Sequence, residues 1–241
     1  MSLSHPQSTV AVGLPGAGAD AELMREIFGP AAEAEGIALI AVDPDPGAVR
    51  ESYLAALDQA SRGADRVLVC GLSFGAHVGA HWASAHQDQC LGVLACWPAW
   101  LGDPAGAPAA QNARETAALL REQGLAPLLD AMRAGGPGWV AERLARSWTA
   151  QWPKLPEAFE EIGRTALPTE DDLRSLRLPV ALGAMSEDPF HPVAVARQWA
   201  ALLPHAELVA LPFAAVGEDP ARLGHATFEA LGRLRAKTAT G

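Results

Sequence analysis

The stretch from Arg66 to Ala83 constrains the fold of this chain more than any other. It begins with an apolar, valine-rich run from Val67 to Cys70, which is typical of a buried strand. The run ends in the pentad Gly71 to Gly75, after which small residues follow in a pattern that suits a helix. Because glycines have no Cβ, a strand and a helix can approach closely on either side of such a turn. The stretch therefore predicts a strand–turn–helix unit of an α/β fold.

The pentad places Ser73 at its centre, in the order Gly-Leu-Ser-Phe-Gly. A serine flanked in this way between a strand and a helix is typical of a nucleophile elbow, in which a strained backbone exposes the hydroxyl above the sheet. The N-terminus of the following helix carries unpaired N–H groups and a partial positive charge, which favour a developing anion. Ser73 is thus a candidate nucleophile. The alternative interpretation is a glycine-rich turn with a solvated serine.

Composition limits the class of partner. The 241 residues are 49% hydrophobic, which suits one domain with a buried core and room for an insertion. The formal net charge is −10 and no cluster of Lys and Arg appears, so we expect no nucleic-acid partner. No apolar run is long enough to span a bilayer, and residues 1–8 lack the features of a secretion signal, so we expect no membrane partner.

The three cysteines, Cys70, Cys90 and Cys96, are odd in number and lie in or near apolar runs. This indicates reduced, buried thiols of a cytoplasmic protein and not a disulfide framework. No C-x-x-C or H-E-x-x-H pattern occurs, so the sequence predicts neither a metal nor another cofactor.

Short apolar runs alternate with helical patterns along most of the chain. This alternation predicts a mostly parallel sheet of about six strands with helices on both faces. The predicted strands are Thr9–Gly13, Ile37–Val42, Val67–Cys70, Leu91–Cys96, Leu178–Ala184 and His205–Leu211.

The alternation stops between residues 97 and 177, where helical patterns are separated by prolines. We therefore predict a helical cap inserted into a core that residues 1–96 and 178–241 form. Five of the seven tryptophans lie in this insertion, which predicts an apolar substrate cavity or a homodimer face. The predicted helices are Ala109–Gln123, Ala126–Arg133, Val140–Gln151 and Pro156–Thr165.

A glycine-rich loop, Leu14 to Asp20, follows the first predicted strand. Nucleotide binding is not supported, because the loop has neither the G-x-G-x-x-G spacing nor a Lys-Ser/Thr pair after Gly18. Its backbone N–H groups could instead stabilise an oxyanion. A plain tight turn is the remaining interpretation.

A serine hydroxyl needs a base within hydrogen-bond reach, and that base needs an orienting acid. In parallel sheets such groups gather beyond the carboxyl ends of the strands. This favours His225, after the last predicted strand, and Asp188, just past the preceding one. Their order along the chain, Ser73, Asp188, His225, is the order expected for a serine on an elbow.

Three other residues stay open for these roles. His191 is an alternative base, although it lies only three residues from Asp188 in one loop. Glu187 is an alternative acid beside Asp188, and Asp103 is a more distant one.

The chain resembles the α/β-hydrolase superfamily over nearly all of its length outside the insertion, and the insertion resembles the cap of such proteins. The resemblance implies Ser73 as nucleophile, His225 as general base and then acid, and Asp188 as its orienting partner. It also implies an oxyanion hole made by the backbone N–H groups of Phe74 and Ala17. The segments that carry it are Leu14–Gly18, Val42–Asp43, Gly71–Gly75, Asp188–Pro189 and Gly224–His225.

The implied activity is hydrolysis of a carboxylic ester of a small, largely apolar molecule through an acyl-enzyme. A thioesterase with the same triad is an alternative, because the first loop is similar to that of some thioesterases. A non-catalytic ligand-binding protein of this fold is another. The sequence departs from the family at Leu72, where histidine is frequent, and in a long loop before His225. The expected substrate pocket is Leu14, Leu72, Trp97, Trp100, Trp148 and Trp152.

Overall fold

A computed structural model describes residues 8–135 and 138–239. Six strands form one sheet in the order β2-β1-β3-β4-β5-β6, and every neighbouring pair is parallel. The predicted α/β class with a parallel sheet is confirmed. The prediction about a secretion signal falls almost entirely on residues 1–7, outside the described residues. The strands are β1 (Thr9–Leu14), β2 (Ala38–Ala41), β3 (Arg66–Leu72), β4 (Cys90–Cys96), β5 (Val180–Ser186) and β6 (Ala206–Pro212).

Helices cover both faces of the sheet. The first face carries α1 and α11, which pack on each other, and the second carries α2, α3 and α9. The described helices are α1 (Ala21–Ala34), α2 (Val49–Gly63), α3 (Phe74–Ala85), α4 (Pro108–Gln123), α5 (Leu125–Gly135), α6 (Gly138–Gln151), α7 (Leu155–Arg164), α8 (Glu170–Ser175), α9 (Val193–Leu202), α10 (Phe213–Glu218) and α11 (Ala221–Ala239). None of them is both long and apolar enough to cross a bilayer.

The pattern of apolar residues explains which elements are central. From Val67 to Leu72, β3 is buried throughout, as expected for a strand with helices on both faces. The edge strand β2 alternates between exposed and half-buried residues. In α1, apolar residues recur every three or four positions, and Asp20 caps the helix by accepting a hydrogen bond from the Leu23 N–H at 3.1 Å.

Between β4 and β5 the described residues form helices α4 to α8 and no strand. Helices α4 to α7 enclose a small apolar cluster of their own, which includes Leu120, Trp148 and Phe159. The short helix α8, absent from the sequence-based prediction, packs on α3, where Asp172 is hydrogen-bonded to His81 and Ser84. The proposed boundaries of the cap, residues 97 and 177, stay a prediction.

The segment after β6 differs from the prediction. The long loop expected before His225 contains α10, and α11 already begins at Ala221. Asp219 starts α11 by accepting a hydrogen bond from the Ala221 N–H at 3.1 Å, and Pro220 precedes the first helical residue. An Asp-Pro pair is a typical helix start. Because α11 begins directly after it, His225 lies in the second turn of this helix and not in a loop.

Candidate active site

The site begins at the junction of β3 and α3. Ser73 has φ 49° and ψ −115°, a conformation that non-glycine residues rarely adopt. Its N–H donates to the carbonyl oxygen of Cys96 at 2.8 Å, which ties the turn to the end of β4. Only 8% of the residue is exposed. Backbone strain held in place by surrounding structure is common at functional sites, and here it falls on the predicted nucleophile.

The glycines of the pentad allow the turn to pack as closely as it does. A Cβ on Gly75 would overlap the carbonyl oxygen of Leu14 in β1, and one on Gly71 would overlap the backbone of Ala76. A glycine is therefore required on both sides of Ser73.

A histidine and a carboxylate complete the arrangement around the serine. The Oγ atom of Ser73 lies 2.9 Å from Nε2 of His191, and Nδ1 of His191 lies 2.8 Å from Oδ2 of Asp188. With Asp188 ionised, Nδ1–H donates to the carboxylate, and Nε2 is left to accept the hydroxyl proton of Ser73. The side chains of His191 and Asp188 are 16% and 6% exposed, so water competes weakly for these bonds.

Asp188 also folds the loop that carries the histidine. Its second oxygen, Oδ1, accepts hydrogen bonds from the N–H groups of Phe190 and His191 at 2.8 and 3.2 Å. This turn brings the imidazole back over the carboxylate that precedes it. Burial alone raises the pKa of Asp188, but the hydrogen bond and charge of His191, with the two N–H groups, outweigh it and lower the pKa. Asp188 is therefore held as a carboxylate.

The prediction that His225 lies against Ser73 is wrong, and His191 takes that place. His225 is exposed on α11, one residue after Gly224, where a Cβ would overlap the carbonyl oxygen of Ile27 in α1. The cause is the early start of α11, which sequence reasoning read as a loop.

Asp188, and neither alternative acid, is the carboxylate at the histidine. Glu187 is exposed and has φ 69°, and Asp103 is exposed and accepts a hydrogen bond from the Ala105 N–H. The signal for His191 was its place beside Asp188, but three residues of separation alone do not show that a loop folds back on itself.

The first loop lies directly beside the serine. A Cβ on Gly16 would stand 3.1 Å from Cβ of Ser73, and a turn closes from the Ala19 N–H to the Gly16 carbonyl oxygen at 3.1 Å. In residues 8–135 and 138–239, no hydrogen bond engages the backbone N–H of Ala17 or Phe74, the two donors predicted for an oxyanion. Both donors therefore remain free for a ligand.

Sequence reasoning missed the residue that supports this loop. The hydroxyl of Tyr53, on α2, donates to the carbonyl oxygen of Pro15 at 2.9 Å, and Tyr53 is fully buried. The chain contains one tyrosine, and it falls on the apolar face of α2 with Leu57 and Ala60, which was the available signal.

No protein-family model matches the chain, and no curated protein matches it. Solved structures do match. An esterase from Thermogutta terrifontis has a TM-score of 0.70 and 19% identity, with 94% of this chain and 90% of that chain covered. A carboxylesterase of Nitrososphaera gargenis has a TM-score of 0.75 and 12% identity, with 96% and 92% covered. MenH from S. aureus has a TM-score of 0.72 and 14% identity, with 98% of this chain and 97% of that chain covered.

The chain has the α/β-hydrolase fold. In this fold the triad residues follow one another along the chain as serine, acid and histidine. Ser73, Asp188 and His191 keep that order, although the acid and the histidine here share the loop after β5.

The predicted pocket tryptophans occupy three kinds of place in this α/β-hydrolase fold. Trp97 packs near the His191 ring, with centroids 6.0 Å apart, and Trp148 covers Gly18 of the first loop. Trp100 lies on the His77 ring and donates to the carbonyl oxygen of Thr165 at 3.2 Å. Trp152 is 39% exposed. The structure therefore brings two of the four beside the serine, its base or its loop.

The two predicted leucines are buried in the core on opposite sides of the elbow. Leu14 ends β1 under Gly75 and Gly79, and Leu72 is the residue before the serine, with its carbonyl oxygen facing Gly16. Their place in a substrate pocket stays a prediction.

A second histidine lies under the elbow and is fully buried. Nδ1–H of His77 donates to the carbonyl oxygen of Leu167 at 2.8 Å, and its Nε2 accepts from the Ala99 N–H at 2.9 Å. Burial lowers the pKa of His77 to about 3, although the hydrogen bond to the Leu167 carbonyl oxygen raises it. His77 is neutral and joins α3 to Ala99, after β4, and to Leu167, before α8.

A cavity of about 630 Å³ opens elsewhere, between the start of α2 and the end of α7, and includes Arg50, Glu161 and Arg164. Ser73, Asp188 and His191 are not among the residues that line it. Across residues 8–135 and 138–239, no cluster of His, Cys, Asp and Glu could hold a metal ion.

Proposed function

We propose that this protein is a serine hydrolase that cleaves a carboxylic ester of a small, largely apolar substrate. One observation carries the proposal: the hydrogen-bonded line from Ser73 through His191 to Asp188, with contacts of 2.9 and 2.8 Å. A serine, a base and an orienting carboxylate in this geometry can activate the hydroxyl.

In the proposed reaction, Oγ of Ser73 attacks the ester carbonyl while its proton passes to Nε2 of His191. Asp188 stabilises the imidazolium that forms. The tetrahedral intermediate collapses, the C–O bond breaks, and the leaving alcohol takes the proton from Nε2. A water molecule then gives a proton to Nε2 and attacks the acyl-enzyme, which releases the acid and restores the serine.

The free N–H groups of Ala17 and Phe74 are the proposed donors to the oxyanion. Phe74 is the first residue of α3, so its N–H adds the positive end of that helix. Ala17 follows Gly16, which abuts the serine. Such donors contribute about 10²–10³ each to the rate.

We propose an apolar pocket, since Trp97 lies near the His191 ring and Trp148 covers Gly18 of the first loop. We propose residues 97–177 as its cap. A homodimer formed through this cap stays a prediction, which size-exclusion chromatography tests.

The test is covalent labelling by a fluorescent organophosphonate, followed by turnover of p-nitrophenyl esters and acyl-CoA thioesters. We expect labelling of the wild type and of the control Ser61→Ala, on α2, and none of Ser73→Ala or His191→Ala. Equal labelling of wild type and Ser73→Ala contradicts the proposal. Turnover of thioesters alone indicates a thioesterase, and labelling without turnover of either class indicates a ligand-binding role.

We also propose a reducing compartment, the cytoplasm. Cys70, Cys90 and Cys96 are free and buried. Burial raises the pKa of all three thiols, that of Cys90 and of Cys96 to about 12, so they persist as unreactive thiols.

A further inference from the structure

Three non-glycine residues in the described part of the chain have a positive φ: Ser73 at 49°, Trp97 at 56° and Glu187 at 69°. Each is the first residue after a strand, β3, β4 and β5 in turn, and these three strands are neighbours in the sheet. The strained positions therefore lie along the edge of the sheet that carries the candidate triad. Strained backbone is common at functional sites. The proposed reaction uses Ser73 and the residue that follows Glu187, but not Trp97.

The backbone of Trp97 is tied to the strands on both sides of β4. Its N–H donates to the carbonyl oxygen of Gly183 in β5 at 2.7 Å. The carbonyl oxygen of Cys96, the residue before it, accepts a hydrogen bond from the Ser73 N–H at 2.8 Å. The strained turn is thus fixed between the strand that precedes the nucleophile and the strand that precedes the acid and the base.

The side chain of Trp97 has a second unfavourable feature. The residue is 9% exposed, and its buried indole N–H lacks an acceptor among the described residues. The indoles of Trp82, Trp100 and Trp199 all donate to acceptors within the chain. Trp148 shares the unpaired N–H, but it lies within α6 and has no positive φ. Because a strained backbone and an unpaired donor both oppose folding, the indole at position 97 calls for a functional explanation.

The Trp97 ring lies beside the base of the triad. Its centroid is 6.0 Å from that of the His191 imidazole, and the two planes are inclined at 40°. Trp97 also belongs to the buried apolar cluster that includes Leu72, Met185 and Val216. A ring packed in a dense core moves little, so it gives the imidazole a fixed surface to rest against.

This surface matters most after the serine has been acylated. In the free enzyme, the imidazole is oriented by two hydrogen bonds, from Nδ1 to Asp188 and from Nε2 to Ser73. In the proposed acyl-enzyme, Oγ of Ser73 is an ester oxygen without a proton to donate, so the second bond is lost. The imidazole can then pivot about the bond to Asp188 and is steadied by the packing of Trp97. In this same state, Nε2 has to accept a proton from the attacking water.

We propose that Trp97 is a positioning residue, which holds the His191 imidazole in place while Ser73 is acylated and thereby acts mainly on hydrolysis of the acyl-enzyme. This inference rests on the proposed function, because it concerns the same serine and the same base.

The reagent p-nitrophenyl dimethylcarbamate separates the two steps of the reaction. Oγ of Ser73 attacks the carbamoyl carbon, the bond to the phenolic oxygen breaks, and p-nitrophenol leaves with the serine proton. Water then cleaves the carbamoyl-serine slowly, which releases dimethylcarbamic acid and restores the hydroxyl. The release of p-nitrophenol measures carbamoylation. The return of esterase activity, after the excess reagent has been removed, measures decarbamoylation.

Trp97→Leu removes the ring and keeps an apolar side chain. We expect decarbamoylation to slow about tenfold and carbamoylation by less than about threefold, because the base is misplaced mainly in the second step. Trp97→Phe keeps a smaller ring and should recover part of the loss, so that decarbamoylation is about threefold slower than in the wild type.

Trp82→Leu is the matched control. Trp82 is also buried and also packs on a histidine, since its ring stacks on His86 with centroids 4.4 Å apart in the second half of α3. The control loses a comparable amount of buried ring, but it should leave the ratio of the two rate constants unchanged.

Equal slowing of both steps in Trp97→Leu, or a smaller burst of p-nitrophenol with unchanged rate constants, indicates a structural role alone. Either result overturns the inference and leaves the proposed function standing. Should Trp97→Leu not fold, Trp97→Phe decides, and an unchanged rate of decarbamoylation then overturns the inference.

Where the carbamate does not react with the wild type, p-nitrophenyl butyrate replaces it, and the two steps are the fast and slow phases of p-nitrophenol release. No release of p-nitrophenol from either compound rejects the proposed function and the inference with it.

Discussion

Two regions position the side chains of the candidate site by different means. The elbow positions Ser73, and the loop from Glu187 to Pro192 positions Asp188 and His191. At the elbow, position is set by backbone packing, because Gly71 and Gly75 meet Ala76 and Leu14 at distances that no side chain allows. In the loop, position is set by one side chain, since Asp188 both folds the turn and holds the imidazole.

This difference matters for how each region tolerates change. The elbow is buried between strands and helices, so an alteration there affects the stability of the whole fold. The loop is partly exposed, and Glu187, Pro189 and Phe190 lie on the surface. An alteration at its functional side chains therefore affects chemistry more than folding.

The largest expected effect separates the two candidate bases. His191→Ala should lower kcat for an ester about 10²–10⁴-fold, because the proton acceptor of Ser73 is lost. His225→Ala removes an exposed side chain of α11 and should change kcat by less than about twofold. Steady-state kinetics measure both, and thermal unfolding checks that both variants are folded. A larger loss from His225→Ala than from His191→Ala would falsify the assignment.

The buried histidine of the elbow helix predicts a pH dependence of stability. The pKa of His77 is about 3 in the folded chain and about 6.5 when unfolded, so between these values only the unfolded chain binds the proton. Stability contributed by neutral His77 is complete above pH 6.5 and is lost as the pH falls towards 3. His77→Gln keeps a donor and an acceptor but does not titrate. From pH 7 to pH 4, its free energy of unfolding should therefore fall by about 3 kcal/mol less than that of the wild type. Urea denaturation at the two pH values measures the free energy of unfolding of both proteins. An equal fall in the wild type and in His77→Gln contradicts the prediction.

Packing at the elbow is the next test. Gly75→Ala should lower the free energy of unfolding by about 1–3 kcal/mol or more, since its Cβ overlaps the Leu14 carbonyl oxygen. Gly232→Ala, in α11 with no atom near its Cβ, should raise it by up to about 1 kcal/mol through helix propensity. Chemical denaturation compares the two variants. An unchanged free energy of unfolding in Gly75→Ala would show that the backbone of the elbow can shift to make room for the added methyl group.

The smallest expected effect concerns the support of the first loop. Tyr53→Phe removes one buried hydrogen bond to Pro15 and should cost about 1 kcal/mol of stability. If the bond also positions the Ala17 N–H, kcat should fall while KM stays constant. A change in stability with unaltered kcat assigns Tyr53 a structural role alone.

Much of the fold could be predicted because it depends on residues that are close together in the sequence. Examples are the apolar run of β3, the two glycines of the pentad and the apolar spacing of α1. The sequence also indicates the residues of the candidate site, since Ser73, Asp188 and His191 each follow a predicted strand. The error lay in choosing between histidines, where a missed Asp-Pro helix start put His225 in a loop.

By itself, the sequence determined where a serine could sit strained between a strand and a helix, because glycine spacing and apolar runs act over a few residues. Only the tertiary structure decided which imidazole meets that serine. Residues 73 and 191 are 118 positions apart, and their contact at 2.9 Å depends on the register of β3, β4 and β5 and on a turn formed by one carboxylate. The same holds for Trp148, which reaches Gly18 only through the packing of a helix 130 residues further along the chain.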